Sequence, residues 1–370
     1  MDKVNITIIG AGAVGLAIAS ELSLKYKDIL VLEKNARYGE ETSSRNSEVI
    51  HSGIYYPEST LKASLCVRGK QLLYDICQTN DIRHKQIGKY IVAVTEEEKK
   101  YLQVLTDNGK RNGVDDLYII DRAELKKREP AVQAFGALVS PSTGILDTHE
   151  LMSFYYRRAK ANDVVISFNS QVSAIEKKDG EYKISIKDEY DFSSHIVINA
   201  AGLYSDQVAA MPGLDIKKYR YQLHPCKGIY YALSKNPGIK HLIYPVPTPR
   251  AVGLGIHVTL DLDNKVKLGP NAFYIDNNSD YDFDDRFHDD FQNSVTTFIP
   301  DIIKIEIHPD MAGIRPKLQG PHDDIRDFVI TEESSKNLPN FINLIGIESP
   351  GITASPAIAK YVKKIVDDIH

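Results

Sequence analysis

The residues with the clearest chemical meaning stand near the start of the chain. Gly10, Gly12 and Gly15 have the GxGxxG spacing, directly after the apolar residues 4–9 and directly before the small-residue run Leu16-Ala17-Ile18-Ala19. In such a strand–turn–helix unit the first glycine permits a tight turn. The second lets the backbone approach a pyrophosphate, and the third lets the helix lie close on the sheet. Ala13 and Val14 begin that helix, whose unpaired N–H groups and positive dipole end face phosphate oxygens. A second apolar strand, residues 29–32, ends in Glu33. A carboxylate there accepts hydrogen bonds from ribose hydroxyls and repels a 2′-phosphate. The chemistry expected is dinucleotide binding, of FAD or NAD in preference to NADP.

More hydrogen-bonding residues follow at Thr42-Ser43-Ser44-Arg45-Asn46-Ser47, in a polar loop suited to hold the rest of a large cofactor. Residues 49–57 are apolar and aromatic with His51 embedded among them. Periodicity predicts helices over residues 60–79, 96–112, 123–129 and 148–162, the third stopped by Pro130. Strands are expected at 88–94 and 136–139, then a β-meander of 164–168, 171–177, 182–186 and 195–199. The meander runs into Ala200-Ala201-Gly202, small residues at the end of a buried strand. Proline-broken strands fill residues 219–268, including 228–233, 242–245, 253–260 and 265–268, and a helix is expected within 284–298. Short buried strands at 328–330 and 341–345 precede the Ser349-Pro350-Gly351-Ile352-Thr353 turn and a final helix containing Pro356.

No internal repeat or low-complexity linker interrupts the chain, so ordinary loops must cross a domain boundary several times. The expected architecture is α/β. A Rossmann-like nucleotide domain is assembled from residues 1–85, 140–212 and 311–370. An inserted α+β substrate domain of residues 86–139 and 213–310 is built on a mixed or antiparallel sheet.

At 370 residues the chain is too long for one typical core. Its 42% hydrophobic and 26% charged residues are ordinary for a globular protein. With a net charge of −5 and basic residues spread throughout, there is no nucleic-acid footprint. No apolar run reaches the roughly eighteen residues that span a bilayer, nor is there an amphipathic basic helix for more than peripheral membrane contact. No signal-peptide pattern is read, so the cytoplasm or an organelle matrix is expected. Cys66, Cys77 and Cys226 form no CxxC pair and read as buried thiols of a reducing compartment. The eleven histidines include no HExxH, so no metal site is expected.

Nine stretches together resemble the FAD-dependent oxidoreductases of the D-amino-acid-oxidase (DAO) superfamily, and within it the L-2-hydroxyglutarate dehydrogenase/oxidase group. They are GAGAVG at 10–15, RNSEVIHSGIYYPESTLKASLCVRG at 45–69, GKYIVAV at 88–94, SPSTGILD at 140–147 and NAAGLYSD at 199–206. Towards the C-terminus come IYPVP at 243–247, GIHVTLDLD at 255–263, GIRPKLQGPHDDIRDFVI at 313–330 and NLIGIESPGITASPAIA at 343–359. The first and the AAG motif belong to the superfamily at large; the stretches around His51 and Arg315 are more specific.

The resemblance implies a glutathione-reductase/DAO-type fold binding FAD. The contacts it implies, beyond the glycine turn and Glu33, are Lys34, Ser44, Arg45, Asn46, Ser47, Val172, Ala201, Gly202, Gly313 and Arg315. It also puts Ser349, Pro350, Gly351, Ile352 and Thr353 at the pyrimidine edge of the isoalloxazine, where a helix N-terminus favours negative charge. The FAD is non-covalent, since no cysteine follows Cys226 to form the late tether of the related sarcosine oxidases.

The implied reaction is oxidation of (S)-2-hydroxyglutarate to 2-oxoglutarate by hydride transfer to flavin N5. A histidine, His51 or His257, is the base. Two substrate carboxylates call for two cations. Arg315 suits one by its bidentate fork and Lys227 the other as a point charge, with hydroxyls from Tyr56, Tyr244 and Tyr230. Oxygen, a quinone or another protein receives the electrons. The alternatives are glycerol 3-phosphate or an amino acid as substrate, or a catalytically silent flavin-binding module.

Overall fold

A computed structural model describes residues 3–187, 190–247 and 253–369. An eight-stranded sheet carries the glycine turn. Its parallel part runs Val165–Ser167, Ile29–Leu32, Lys3–Ile9, Asp191–Asn199 and Leu338–Ile345. The Asp191–Asn199 strand serves two neighbours along its length. Its first half pairs antiparallel with Glu181–Ile186, its second half parallel with Leu338–Ile345. All of Ile29–Leu32 and the last four residues of Lys3–Ile9 are buried. Such continuous apolar runs are what a parallel sheet covered on both faces requires.

Helices Ala13–Leu22, Leu61–Thr79, Thr148–Ala161 and Gly351–Ile369 cover one face of this sheet. Tyr182, Phe192 and Phe341 anchor the core on the other. The nine-stranded second sheet is mixed. Tyr118–Asp121, Gly136–Ser140, Lys89–Ala93 and Leu242–Pro245 lead through Val258–Leu260 and Val266–Leu268 to His224–Leu233. His224–Leu233 also pairs with Ile307–Lys317 and with Phe273–Tyr274. A small third sheet joins Val49–Ile50, Gly144–Leu146 and His84–Lys85. Among the described residues no helix is long and apolar enough to cross a membrane.

Two expectations change. Residues 165–167 do not open the meander; they pair parallel with Ile29–Leu32 at the far edge of the sheet. The meander itself comprises Val172–Lys178, Glu181–Ile186 and Asp191–Asn199. The eleven-residue strand Ile307–Lys317 was not expected, because Pro309, Gly313 and Pro316 break any strand signal. Its partner His224–Leu233 nevertheless holds it along almost the whole length.

The helix ends are set locally. Thr60 Oγ1 accepts from Ala63 N to cap Leu61–Thr79. Asp327, from the opposite end of the chain, accepts from Leu61 N at 2.6 Å and Lys62 N at 2.9 Å. Helices Leu61–Thr79 and Gly351–Ile369 then touch backbone to backbone. A Cβ on Gly69 would stand 2.4 Å from the Thr353 carbonyl oxygen. Gly69→Ala should therefore force the pair apart and cost about 1–3 kcal/mol, as overpacking does. The urea midpoint should fall accordingly. An unchanged midpoint would show that the two helices separate freely.

Candidate active site

A cavity of about 1610 Å³ is lined by residues of both large sheets. It exceeds the roughly 300–1,000 Å³ of an ordinary small-molecule site and has room for a dinucleotide and a substrate.

Gly10, Gly12, Ala13 and Val14 line one part. Gly10 has a φ of +104°, and a Cβ there would stand 2.5 Å from the Ala200 carbonyl oxygen, so only glycine fits. Gly15 lies behind the wall, where a Cβ would be 2.0 Å from the Gly10 oxygen; its part is the close seating of the helix. No side chain caps this helix at Gly12. Ser43 Oγ accepts from Ala13 N at 3.0 Å, while the amides beside it face the cavity unclaimed by a side chain. Glu33 is buried, and its two oxygens accept from Ala11 N at 2.8 Å and Asn35 N at 2.9 Å. Burial nevertheless raises its pKa above the usual carboxylate value, against those two hydrogen bonds.

Lys34, Arg45, Asn46, Ser47, Val172, Ala201, Gly202 and Gly313 also line the cavity. Lys34 pairs with Glu41 at 2.6 Å over the Tyr204 ring. Arg45 lies over Tyr281, and its Nε is buried with no partner. A backbone cradle too tight for a Cβ, an anchored acid and an orphaned guanidinium N–H fit a phosphate-bearing dinucleotide.

The Ser349–Thr353 turn lines another part and opens helix Gly351–Ile369. Thr353 Oγ1 accepts from His51 N at 3.1 Å and donates to Val49 O at 3.2 Å, fixing the turn to the His51 segment. Beside it Glu348 accepts from Lys62 Nζ at 2.9 Å and from Lys317 Nζ at 3.0 Å, all three buried. Burial alone would raise the Glu348 pKa, but the two ammoniums overcome it and hold the carboxyl at about 2. Two ammoniums against one carboxylate leave one fixed positive charge at this wall.

His51, His257, Arg315, Tyr56, Tyr230 and Tyr244 all line the cavity. Burial, helped by the Lys89 charge, pushes both histidines down to about 3, so each is a neutral imidazole near pH 7. His257 Nδ1 is 2.8 Å from the Gly255 carbonyl oxygen, which only an N–H can meet favourably. Its Nε2 therefore keeps the lone pair. The ring stacks on Tyr244 at 3.8 Å. His51 Nε2 is 3.2 Å from Ser349 Oγ. Arg315 donates weakly to Asn271 O at 3.5 Å and pairs with no carboxylate among the described residues. Gly228 makes its room, since a Cβ there would meet Arg315 Nη1 at 3.0 Å.

Two expected contacts are corrected. Lys227 does not reach the cavity: it is 2% exposed and bound to Asp280 at 2.9 Å. Strand alternation explains this, because Gly228 and Tyr230 face the cavity and Lys227 therefore faces away. Ser44 turns its hydroxyl to Glu41 O and borders a separate small pocket, while Ser43 meets the glycine turn. Lys62, Lys317 and Glu348 were not foreseen. The i+2 spacing of Lys317 from Arg315 would have found one of them had the strand been recognised.

Fold and cavity define a dinucleotide-binding oxidoreductase whose nucleotide unit is continuous with a substrate chamber. The family model "FAD dependent oxidoreductase" (DAO) matches residues 5–365, and the chain belongs to this family of FAD enzymes. It is 38% identical to the mitochondrial L-2-hydroxyglutarate dehydrogenase of Arabidopsis thaliana, over 98% of this chain and 83% of that protein. It is also 30% identical to a glycerol 3-phosphate dehydrogenase of Caloramator mitchellensis, over 99% of this chain and 74% of that one. A solved structure of L-alpha-glycerophosphate oxidase from Mycoplasma pneumoniae, with FAD bound, matches with a TM-score of 0.89 at 26% identity. That match covers 99% of this chain and 95% of the oxidase.

Glu33→Ala should weaken FAD binding about ten- to a hundredfold, the roughly 1.5–3 kcal/mol of a charge-assisted hydrogen bond. Catalysis at saturating FAD should change little. Titration of apoprotein with FAD checks this, and an unchanged affinity would remove Glu33 from the ribose.

Proposed function

We propose that the protein oxidises (S)-2-hydroxyglutarate to 2-oxoglutarate. The observation that carries this is Arg315, a guanidinium without a carboxylate partner among the described residues, sharing a cavity with two neutral histidines. The similarity to relatives named for this reaction supports it, and the (S) configuration rests on those names. FAD bound in the cavity would accept the hydride that leaves C2.

Arg315 binds the C1 carboxylate through its planar fork and so fixes the C2–H bond relative to the cofactor. One of the two imidazoles takes the hydroxyl proton as that bond breaks. His257 offers Nε2, its tautomer set by the Gly255 carbonyl, and His51 offers the nitrogen beside Ser349. Tyr56 and Tyr244 close the wall around them and keep water from the reacting atoms.

We assign the cofactor to residues 1–85, 140–212 and 311–370, which carry the parallel sheet. The substrate belongs to residues 86–139 and 213–310, which carry most of the mixed sheet. The cytoplasm or an organelle matrix is the compartment proposed; the Arabidopsis relative is named as mitochondrial.

Glycerol 3-phosphate is the rival substrate, supported by the names of the Caloramator relative and the Mycoplasma fold neighbour. Anaerobic mixing with each candidate separates the two. (S)-2-Hydroxyglutarate should bleach the flavin absorbance, and glycerol 3-phosphate and amino acids should not. Bleaching by glycerol 3-phosphate alone would overturn the proposal. Adding oxygen or a soluble quinone to the bleached protein then identifies the acceptor.

The pH dependence should be unusual for a histidine base. With both imidazoles at about 3, the rate of flavin reduction at saturating substrate should show no histidine inflection from pH 8 down to about 5. Either His51→Ala or His257→Ala should lower that rate by roughly 10²–10⁴. An inflection at the ordinary histidine value of 6.5 would show that the base sits in a wetter setting.

A further inference from the structure

Lys89 opens the strand Lys89–Ala93 and is 1% exposed. Its Nζ stands 4.6 Å from the Tyr55 ring centroid and 4.9 Å from that of Tyr244. Among the described residues it makes no hydrogen bond and pairs with no carboxylate. An ammonium carries three donors and no acceptor, and a buried one without a counter-charge is costly. The phenol oxygens of Tyr55 and Tyr244 are likewise buried without a partner. The groups that share its surroundings are Tyr55, Cys66 of helix Leu61–Thr79, Tyr244 of the neighbouring strand, His51 and His257. None is a carboxylate. Such a cluster is rich in donors and lacks an anion.

Both tyrosine rings line the cavity, so Lys89 stands immediately behind that wall. Lys227 cannot supply a second cation, because Asp280 neutralises it on the other face of its strand. Arg315 and Lys89, neither with a carboxylate partner among the described residues, therefore add to the one positive charge left at Lys62, Lys317 and Glu348, and the chamber favours a ligand with more than one negative charge. We propose that Lys89 is the second cation of the substrate pocket, acting through the Tyr55–Tyr244 wall to attract and select the distal carboxylate of a dicarboxylic substrate. This rests on the 2-hydroxy-acid function proposed above. Lys89 is a positioning residue. It need not touch the carboxylate, because a ligand that fills the chamber excludes water and salt, and the attraction across one ring remains strong.

A titration signature follows. Burial brings Lys89 down to about 7, so near pH 8 much of the free protein lacks this proton. A carboxylate arriving nearby favours the charged form, so a dicarboxylate should take up a proton on binding and a monocarboxylate should not.

The test uses the FAD-loaded protein at pH 8, with 2-oxoglutarate and 2-oxobutyrate as probes. Kd is read from the flavin spectrum, and proton uptake from calorimetry in buffers of different ionisation enthalpy. Wild type should prefer the diacid and take up a proton with it. Lys89→Met should cut the preference about tenfold or more and abolish the uptake. Lys89→Arg, always charged, should restore preference without uptake. Should Lys89→Met fail to fold, wild type decides alone: diacid binding without proton uptake overturns the proposal. So does a Lys89→Met protein that keeps both preference and uptake, and in either case the substrate assignment stands. Wild type that shows no preference for the diacid overturns the role of Lys89 and the dicarboxylate substrate together.

Discussion

The structure depends on close backbone contact at two places where a side chain would not fit. Gly15 lets helix Ala13–Leu22 settle onto the Gly10 carbonyl, and Gly69 lets helix Leu61–Thr79 meet Thr353 at the start of the last helix. Helices Ala13–Leu22 and Gly351–Ile369 also pack on each other. The amino ends of both are thereby aimed at one cavity. Each such end carries unpaired N–H groups and about half a positive charge. A chamber bounded by two of them favours anionic groups at both stations, and neither helix can shift without moving the other.

Burial then decides the charge of each group on the wall, in opposite senses. Desolvation disfavours any charged form. For His51 the Lys89 charge reinforces it, and for His257 the Gly255 carbonyl opposes it without reversing it, so both imidazoles stay neutral. Glu348 meets the same penalty, but Lys62 and Lys317 reverse the outcome and keep it ionised. One environment thus holds two imidazoles neutral next to a carboxylate that stays charged. The division of labour comes from partners rather than from residue type.

Much of this was legible in the sequence because it is local. The glycine turn with Glu33, the polar loop after it and the Ser349–Thr353 turn each act within a few residues, and all reach the cavity. What stayed hidden depends on pairing between distant segments. Strand Ile307–Lys317 looks broken by its prolines and is held by His224–Leu233. Until that pairing is known, nothing indicates that Lys317 shares a face with Arg315. Lys227 was misplaced for a different reason. Its charge suits a substrate carboxylate, but the two-residue alternation of the strand sends Gly228 and Tyr230 inward and Lys227 outward. The Ser43 and Ser44 exchange is finer still, since a single turn at Thr42–Ser44 decides which hydroxyl meets the Ala13 amide.

The path of the second sheet bears on the choice between a dicarboxylate and a phosphate monoester. From the strand of Arg315 to the strand of Lys89 the order is Ile307–Lys317, His224–Leu233, Val266–Leu268, Val258–Leu260, Leu242–Pro245 and Lys89–Ala93. Those five steps would put the two backbones about 24 Å apart in a flat sheet, at about 4.8 Å per step. Yet both cations act on His257, each lowering its affinity for a proton. His257 directly precedes Val258–Leu260, which lies between those two strands in the sheet order, so the two cations stand on either side of it along the sheet. A phosphate monoester concentrates its charge at one end and would leave one flank unanswered. A 2-hydroxy diacid carries a carboxylate at each end and its reacting hydroxyl between them, so a cation on either side of His257 in the strand order distributes charge as that molecule does.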